Sequence, residues 1–335
     1  MSGHPMPAEA SINAELSNYG VSLFYDNINL VANQIAPVIP VDQNPGDYSV
    51  ILPIEGKTIS HETRIPYGGI ATELNFKLDK ATYSTEEYGK RHFESDRAAK
   101  MASASVREYR KGIELIIENL ALDREAQLAE IMLTEANYYV SAEDPHWFAA
   151  TTPWDGDDAD PRVDIDAAAR AVELHSGRVA NTLLLPPVSY DVLMNCQRFV
   201  EIIQHMFGIQ WLQTGMLPTP IFGLNIIKAG AIYDESARLQ TPALNFLWEE
   251  AVAATGDDWA WVGYVDPSPS LKTSAMVVQF AFNNGILSYR DILTMYEDYD
   301  IFAKGTWYEG RTDYEVKLSN TRAGAVITGV KGIAS

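Results

Sequence analysis

The stretch SASVREYRKGIELIIENLALDREAQLAEIMLTEAN, residues 103–137, decides how the rest of the chain can be arranged. Its centre, from Tyr109 to Met132, contains no proline and one glycine, Gly112. Tyr109, Ile113, Ile116, Ile117 and Leu120 recur at three- and four-residue steps, and Leu128, Ile131 and Met132 resume the stripe. That is the period of a helix with one apolar face. If all of it is helical, at 1.5 Å per residue it makes a rod on the order of 45–50 Å long, about three to four times the ordinary helix of a globular domain. Arg124 falls on the apolar side, where a carboxylate partner is expected. A rod this long needs something laid along it.

Upstream, residues 46–83 read as a long β-ribbon. Tyr48, Val50, Leu52 and Ile54 alternate along the outgoing strand, and Leu74, Phe76 and Leu78 alternate with Asn75, Lys77 and Asp79 on the return. Pro66-Tyr67-Gly68-Gly69 supplies turn chemistry near the tip. A two-stranded ribbon alone in water is marginal, and one of this length cannot fold back over a compact lobe without another element to cover. It is therefore expected to lie across another subunit. Residues 1–45, rich in Asn, Ala and Pro, read as an arm with a short helix near Asn27 to Gln34. Leu30, Val31, Ile35, Val38, Ile39 and Val41 favour packing of its second half.

Downstream, Asp144-Pro145 and the acidic run from Trp154 to Pro161 mark a loop and a lobe boundary. Asp164 can cap a helix from Ile165 to His175, stopped near Gly177. Asn181 to Leu185 reads as a buried strand ended by Pro186-Pro187, followed by helical pieces from Ser189 to Cys196 and Phe199 to Phe207. Leu224 to Lys228, Phe246 to Ala253 and Ala275 to Phe282 read as strands. Helices flanking a sheet suggest an α/β lobe over 160–285. Tyr299 to Tyr308, Tyr314 to Leu318 and Ala325 to Val330 read as antiparallel strands returning to the long helix.

At 335 residues the chain can bury a full core and divide into two lobes. Its hydrophobic share of 47% and charged share of 21% are those of an ordinary soluble globular protein. The first sixteen residues carry no Lys or Arg and no long apolar run, which speaks against a secretory signal. No stretch approaches the roughly 20 apolar residues that cross a membrane. Cys196 is the only cysteine, so an internal disulfide is excluded and a reducing cytosol fits. Beside Met194 and Phe199 its thiol reads as a core group. A net charge of −20 argues against tight binding to nucleic acid. The charge is also segregated: eight basic residues lie between Lys57 and Lys100, whereas from Glu125 to Pro161 there are nine acidic residues and no basic one. Such blocks serve as solvated faces, and they also suit a cationic segment resting on the acidic segment of another copy.

No constellation stands out for catalysis. Gly56-Lys57-Thr58 matches the end of a phosphate-binding loop, but the glycine required five positions earlier is Ile51. The acidic run from Asp155 to Asp160 lacks calcium-loop spacing and its closing glutamate. His61, His92, His146, His175 and His205 form no zinc-type pair. Pairs such as Glu86-Glu87 and Glu249-Glu250 are expected by chance among 45 acidic residues, and Ser189 sits in no GxSxG elbow. No catalytic residue, cofactor or metal is expected.

The order of arm, ribbon, long helix, mixed lobe and returning strands resembles the major capsid protein of tailed phages, the Hong Kong 97-type fold. The run Leu78-Asp79-Lys80-Ala81-Thr82-Tyr83-Ser84-Thr85-Glu86-Glu87-Tyr88-Gly89 is similar to a tract in many such proteins. So, in order, are Leu122-Asp123-Arg124-Glu125, Asp160-Pro161 with Asp164-Ile165, Asn181-Thr182-Leu183-Leu184-Leu185, and Phe222-Gly223-Leu224-Asn225-Ile226-Ile227. The resemblance covers about 20–330. It implies an α+β chain with an N-arm (1–45), an extended loop (46–88), a peripheral domain holding the spine helix (89–159 and 286–335) and an axial domain (160–285).

The function so implied is structural: self-association into hexamers and pentamers of an icosahedral head enclosing double-stranded DNA. Tyr48, Val50, Leu52, Leu74 and Phe76 would lay apolar strand faces on a neighbour. Lys57, Arg64, Lys77 and Lys80 would meet Glu114, Glu118, Glu130 or Glu135 of another copy. Exposed pairs are individually worth roughly 0–1 kcal/mol, so they would choose the partner more than hold it. A separate scaffolding protein, a portal and a decoration protein are the expected partners. The DNA would be packaged without sequence-specific contact, no membrane is involved, and the particle would be assembled in the host cytoplasm. The nearest alternative is an encapsulin-like compartment on the same fold; from another class, a cytosolic α/β hydrolase would stay small and need a polar pocket.

Overall fold

The computed structural model describes residues 30–50, 79–101, 108–156, 158–207, 219–234, 243–250, 258–282 and 293–332, with 11–12, 16–17, 19–20, 65, 67, 69–70, 217 and 236 between them. Ahead of the long helix come β1 (Ser11–Ile12), α1 (Ala32–Ile35), β2 (Val38–Val41), β3 (Gly46–Val50), β4 (Asp79–Tyr83), β5 (Glu86–Ser95) and α2 (Asp96–Met101). The long helix is α3 (Glu108–Met132). Next are β6 (Trp147–Ala149), α4 (Pro161–Ser176), β7 (Thr182–Leu185), α5 (Pro187–Asn195), α6 (Gln197–Phe207) and β8 (Asn225–Lys228). There follow β9 (Ile232–Asp234), β10 (Leu244–Phe246), α7 (Leu247–Glu250), β11 (Trp259–Gly263) and β12 (Lys272–Thr273). The chain closes with β13 (Val277–Phe282), β14 (Leu293–Asp300), β15 (Gly305–Leu318) and β16 (Gly324–Thr328).

The described length of α3 is 25 residues, about 38 Å at 1.5 Å per residue. It stops at Met132 and does not run to Asn137. Three side chains beyond its end take up its last carbonyls: Thr134 Oγ1 bonds Glu130 O, Asn137 Nδ2 bonds Ile131 O and the Tyr138 hydroxyl bonds Met132 O. With those acceptors satisfied, the chain is free to leave through a short 3₁₀ turn, Glu135–Asn137. The expected stripe of Ile113, Ile116, Ile117, Leu120, Leu128 and Met132 is buried. Gly112 lies where a Cβ would collide with the His92 ring, so the glycine lets β5 press against the helix.

What the helix lies on is one mixed sheet in the order β1-β14-β15-β13-β2, with β5 also paired to β15. The fourteen-residue β15 is its hub. It runs antiparallel to β14 from Leu293↔Thr312 to Asp300↔Gly305, to β5 from Gly305↔Ser95 to Tyr314↔Glu86, and to β13 from Val277↔Leu318 to Ala281↔Tyr314. The second half of the N-terminal segment is part of this body, since β2 pairs in parallel with β13 and Val31, Ile35, Ile39 and Val41 are buried. Arg124 is buried, its guanidinium 4.2 Å from the Tyr314 ring centre and bonded to Thr312 and Asn33. The carboxylate engaged at this level of the helix is its neighbour, Glu125.

A second sheet, β6-β16-β11-β7-β8, has three central strands buried along their whole length. Helices α4, α5 and α6 contribute Ile165, Ala168, Val172, Leu193, Phe199 and Ile203 to the core shared with it. The cap of α4 is Asp160, which accepts the Arg162 N–H, with Pro161 at the first helical position and Gly177 in the left-handed conformation at the far end. Asp164, the expected cap, is instead buried one turn inside and accepts bonds from Thr151 and the Trp154 indole.

Three further expectations change. The expected strand from Phe246 onward ends at Phe246 and turns into α7, which sends Trp248 into the core; residues 251–257 lie outside the described set. The expected strand from Tyr299 to Tyr308 is a hairpin, with its turn at 301–304. Finally, β16 sits inside the second sheet, between β6 and β11, and meets the long helix only through the core that Val326 shares with Leu128 and Met132, while β13 belongs to the first sheet. Sheet membership therefore crosses the sequence boundaries at 159/160 and 285/286: 147–149 and 324–328 join the second sheet, 277–282 the first.

Candidate subunit-interaction surfaces

Of the expected ribbon, residues 46–50 and 79–83 and the single positions 65, 67, 69 and 70 are described. At the base, β3 and β4 pair antiparallel from Gly46↔Tyr83 to Val50↔Asp79, and β12 adds a third, parallel strand at Ser49 and Val50. Alternation puts Tyr48 and Val50 on the inner face, 3% and 8% exposed, in a cluster with Ile39, Val41, Tyr83, Val278 and Phe280. Tyr83 stacks on Phe280 at 4.5 Å between ring centres, and Tyr48 leans on it at 4.9 Å. Burial raises the pKa of both phenols. Tyr48 and Val50 are therefore core residues of their own chain, not faces offered to a neighbour, because β2 and β13 already cover them. The base of the ribbon does satisfy itself.

Lys80 points outward on β4, exposed with Thr82. Leu52, Lys57, Arg64, Leu74, Phe76 and Lys77 lie outside the described residues. Near the tip, Ile65, Tyr67 and Ile70 are exposed, the last two almost completely. Of the four glutamates, Glu118, Glu130 and Glu135 are exposed, beside the exposed Leu115. Glu114 is half-buried and accepts the Tyr19 hydroxyl at 2.8 Å within its own chain. Among the described residues no ion pair joins Lys80 to any of the four, so the surfaces named from sequence are not brought together within one copy.

One surface escapes a reading of the sequence. At the turn of the β14–β15 hairpin, Asp300 Oδ1 accepts the N–H groups of Phe302 and Ala303, both at 2.9 Å, and Lys304 takes a left-handed φ of 49°. The Asp96 N–H donates to Lys304 O, and the Tyr299 hydroxyl donates to Asp96. This held turn projects Ile301, 74% exposed, and Phe302, 100% exposed. The signal was present in Asp300 and Gly305, which bracket a four-residue turn, but the flanking aromatics read as one strand.

The remaining candidates are engaged structurally. Asp155 accepts the Gly332 N–H and Asp160 caps α4. Cys196 is buried, as expected of a core thiol. His146 is buried, with Nδ1 2.7 Å from Gly324 O and Nε2 3.0 Å from His175 Nδ1. Among the described residues no group of three or more His, Cys, Asp or Glu is placed to hold a metal ion. No described helix is long and apolar enough to cross a membrane.

A spine helix on a mixed sheet, a short three-stranded sheet packed on that sheet and a second, helix-covered sheet define an architecture that solved structures share. No protein-family model matches the chain, and no curated protein matches it in sequence. Among solved structures, a phage-related protein from Bordetella bronchiseptica RB50 matches over 97% of this chain and 99% of its own, with a TM-score of 0.69 and 19% identity. The capsid structure of cyanophage P-SCSP1u matches over 98% and 91%, with a TM-score of 0.53 and 12% identity. The SrpI encapsulin of Synechococcus elongatus PCC 7942 matches over 91% and 89%, with a TM-score of 0.51 and 12% identity. The fold is thus the Hong Kong 97-type α+β fold of phage capsid proteins.

Proposed function

We propose that this chain is the major capsid protein of a phage, a structural subunit that assembles through contacts between copies into an icosahedral head around double-stranded DNA. The observation that carries the reading is the match in fold, nearly end to end, to a phage-related protein and to a cyanophage capsid structure. Exposed apolar residues at Ile65, Tyr67, Ile70, Ile301 and Phe302 support it, since burying them needs a partner. In this reading the arm, extended loop, peripheral and axial domains keep their order, with 147–149 and 324–328 counted with the axial sheet and 277–282 with the peripheral one. The ribbon beyond its base, with Leu52, Lys57, Arg64, Leu74, Phe76, Lys77 and Lys80, lies over a neighbour whose helix offers Glu118, Glu130 and Glu135. Glu114 is left out because Tyr19 already occupies it. Apolar burial contributes about 25 cal/mol per Å², and most of that is offset by lost rigid-body freedom. Hexamers and pentamers, a separate scaffolding protein, a portal and a decoration protein complete the particle. The net charge of −20 fits DNA enclosed without sequence-specific contact.

The second reading is a protein compartment, favoured by the match to the SrpI encapsulin. Electron microscopy of the chain expressed alone, then of particles recovered from their source, tests both. Shells that hold DNA and one portal vertex are expected. Shells filled with a single enzyme would favour the compartment, and a chain that stays monomeric at every concentration would end both readings.

A further inference from the structure

We propose that the β14–β15 turn of one copy inserts Phe302 into the cleft between residues 143–148 and the outer face of α4 on a second copy. The proposal rests on the self-association reading above. A fully exposed phenylalanine is ordinarily tolerable on a mobile loop, but this one is held. Asp300 fixes the turn through two N–H bonds, Asp96 ties down Lys304 O, and Tyr299 bonds Asp96 in turn. A rigid aromatic knob loses little freedom on docking, which is what an interface anchor requires.

The receiving cleft has a volume of about 360 Å³. Phe148, Val163 and Ala167 give it apolar walls, and Glu143, Asp144 and Asp166 outnumber Arg170 at its rim. Asp166 is paired with Arg162 at 3.4 Å, while Glu143 is exposed and Asp144 half-buried. The turn holds one acid and one base: Asp300 Oδ1 accepts the turn's own N–H groups, whereas Lys304 is exposed two residues from Phe302 and is the cation the knob offers. Glu143 and Asp144 belong to the stretch from Glu125 to Pro161 that has no basic residue of its own. The knob belongs to the first sheet and the cleft to the second, so the contact joins unlike surfaces. It leaves one knob and one cleft open on every pair, and it propagates until a ring or shell closes.

The test places a benzoyl-phenylalanine photocrosslinker at position 302 of the full chain and maps the adduct by mass spectrometry. Adducts within 143–148 or 163–171 of another copy support the contact; adducts to residues 299–304 of another copy mean knob meets knob and overturn it. Alongside, Phe302→Asp is expected to keep its circular dichroism, since the side chain touches solvent alone, while the concentration needed for assembly rises at least about tenfold. Glu143→Lys should weaken assembly, and Lys304→Glu added to it should restore it. If wild-type chain makes shells and Phe302→Asp makes them at the same concentration, this contact fails and the capsid reading stands. If wild type never associates, both fail together.

Discussion

Glu125 shows how one residue of the long helix ties distant parts of the chain together. Its carboxylate is fully buried and accepts three donors: the N–H groups of Val31 and Ala32 at 3.0 and 2.8 Å, and the Trp248 indole at 2.7 Å. Burial is the larger influence and raises its pKa, while the three bonds pull the other way. In the pH window between the ordinary carboxylate value and the raised one, the folded chain holds the proton more firmly, so this residue's contribution falls as pH rises through it. Glu125→Ala leaves three buried donors without their acceptor, and a loss of about 3 kcal/mol is expected in urea unfolding; a loss under about 1 kcal/mol would show that water replaces the carboxylate. His146 carries the opposite sign. Burial lowers its pKa, the neighbouring His175 and Arg322 add to that, and Gly324 O and Asp144 oppose it. Because Nδ1 must donate to Gly324 O, Nε2 must accept from His175, and a second proton would set two N–H groups face to face. The unfolded chain therefore binds protons first, and stability drops as pH falls from the ordinary imidazole value to the lowered one. Thermal unfolding followed from pH 8 to 4 should show that drop, and a His146→Gln variant should show it diminished.

The ribbon shows how far an element can be read from its own residues. Alternation at Tyr48 and Val50, and pairing with Asp79 to Tyr83, were legible because a strand's two faces repeat every second residue. The occupant of the inner face was not legible. Phe280, more than 200 positions away, supplies it, and no local pattern announces such a partner. Lys80 stays exposed on the outer face, so the electrostatic contact proposed between the ribbon's cations and the exposed glutamates of α3 can be tested at Lys80 together with its near neighbour in sequence, Lys77. Lys77→Glu with Lys80→Glu should slow or abolish shell formation while circular dichroism stays that of wild type. Normal shells from the double variant, counted by electron microscopy, would remove charge from the account of how copies choose their register. The β14–β15 hairpin teaches the reverse lesson. Its turn was written in Asp300 and Gly305, but the aromatic residues on either side masked it, and only the register places Phe302 at a projecting end.

Across the whole molecule, the two sheets are each assembled from segments far apart in the chain. The first collects residues 11–12, 38–41, 86–95, 277–282, 293–300 and 305–318, and the second collects 147–149, 182–185, 225–228, 259–263 and 324–328. Most of the buried apolar residues fall in cores made within one chain. On the capsid reading proposed above, a subunit with such cores would fold before it associates, and among the described residues the surfaces it would offer are small projections and charged faces. That is the form expected of a building block held by many modest contacts.

By itself the sequence determined what has a short period: the amphipathic helix, most of the strands, the arm's packed half, and a resemblance carried by landmarks in order. Tertiary structure alone decided which strand meets which, where α3 ends, that Tyr48 and Val50 turn inward, and that Phe302 turns outward. The reason is physical. Periodicity is set by backbone geometry over a few residues, whereas burial depends on which distant segment arrives to cover a face.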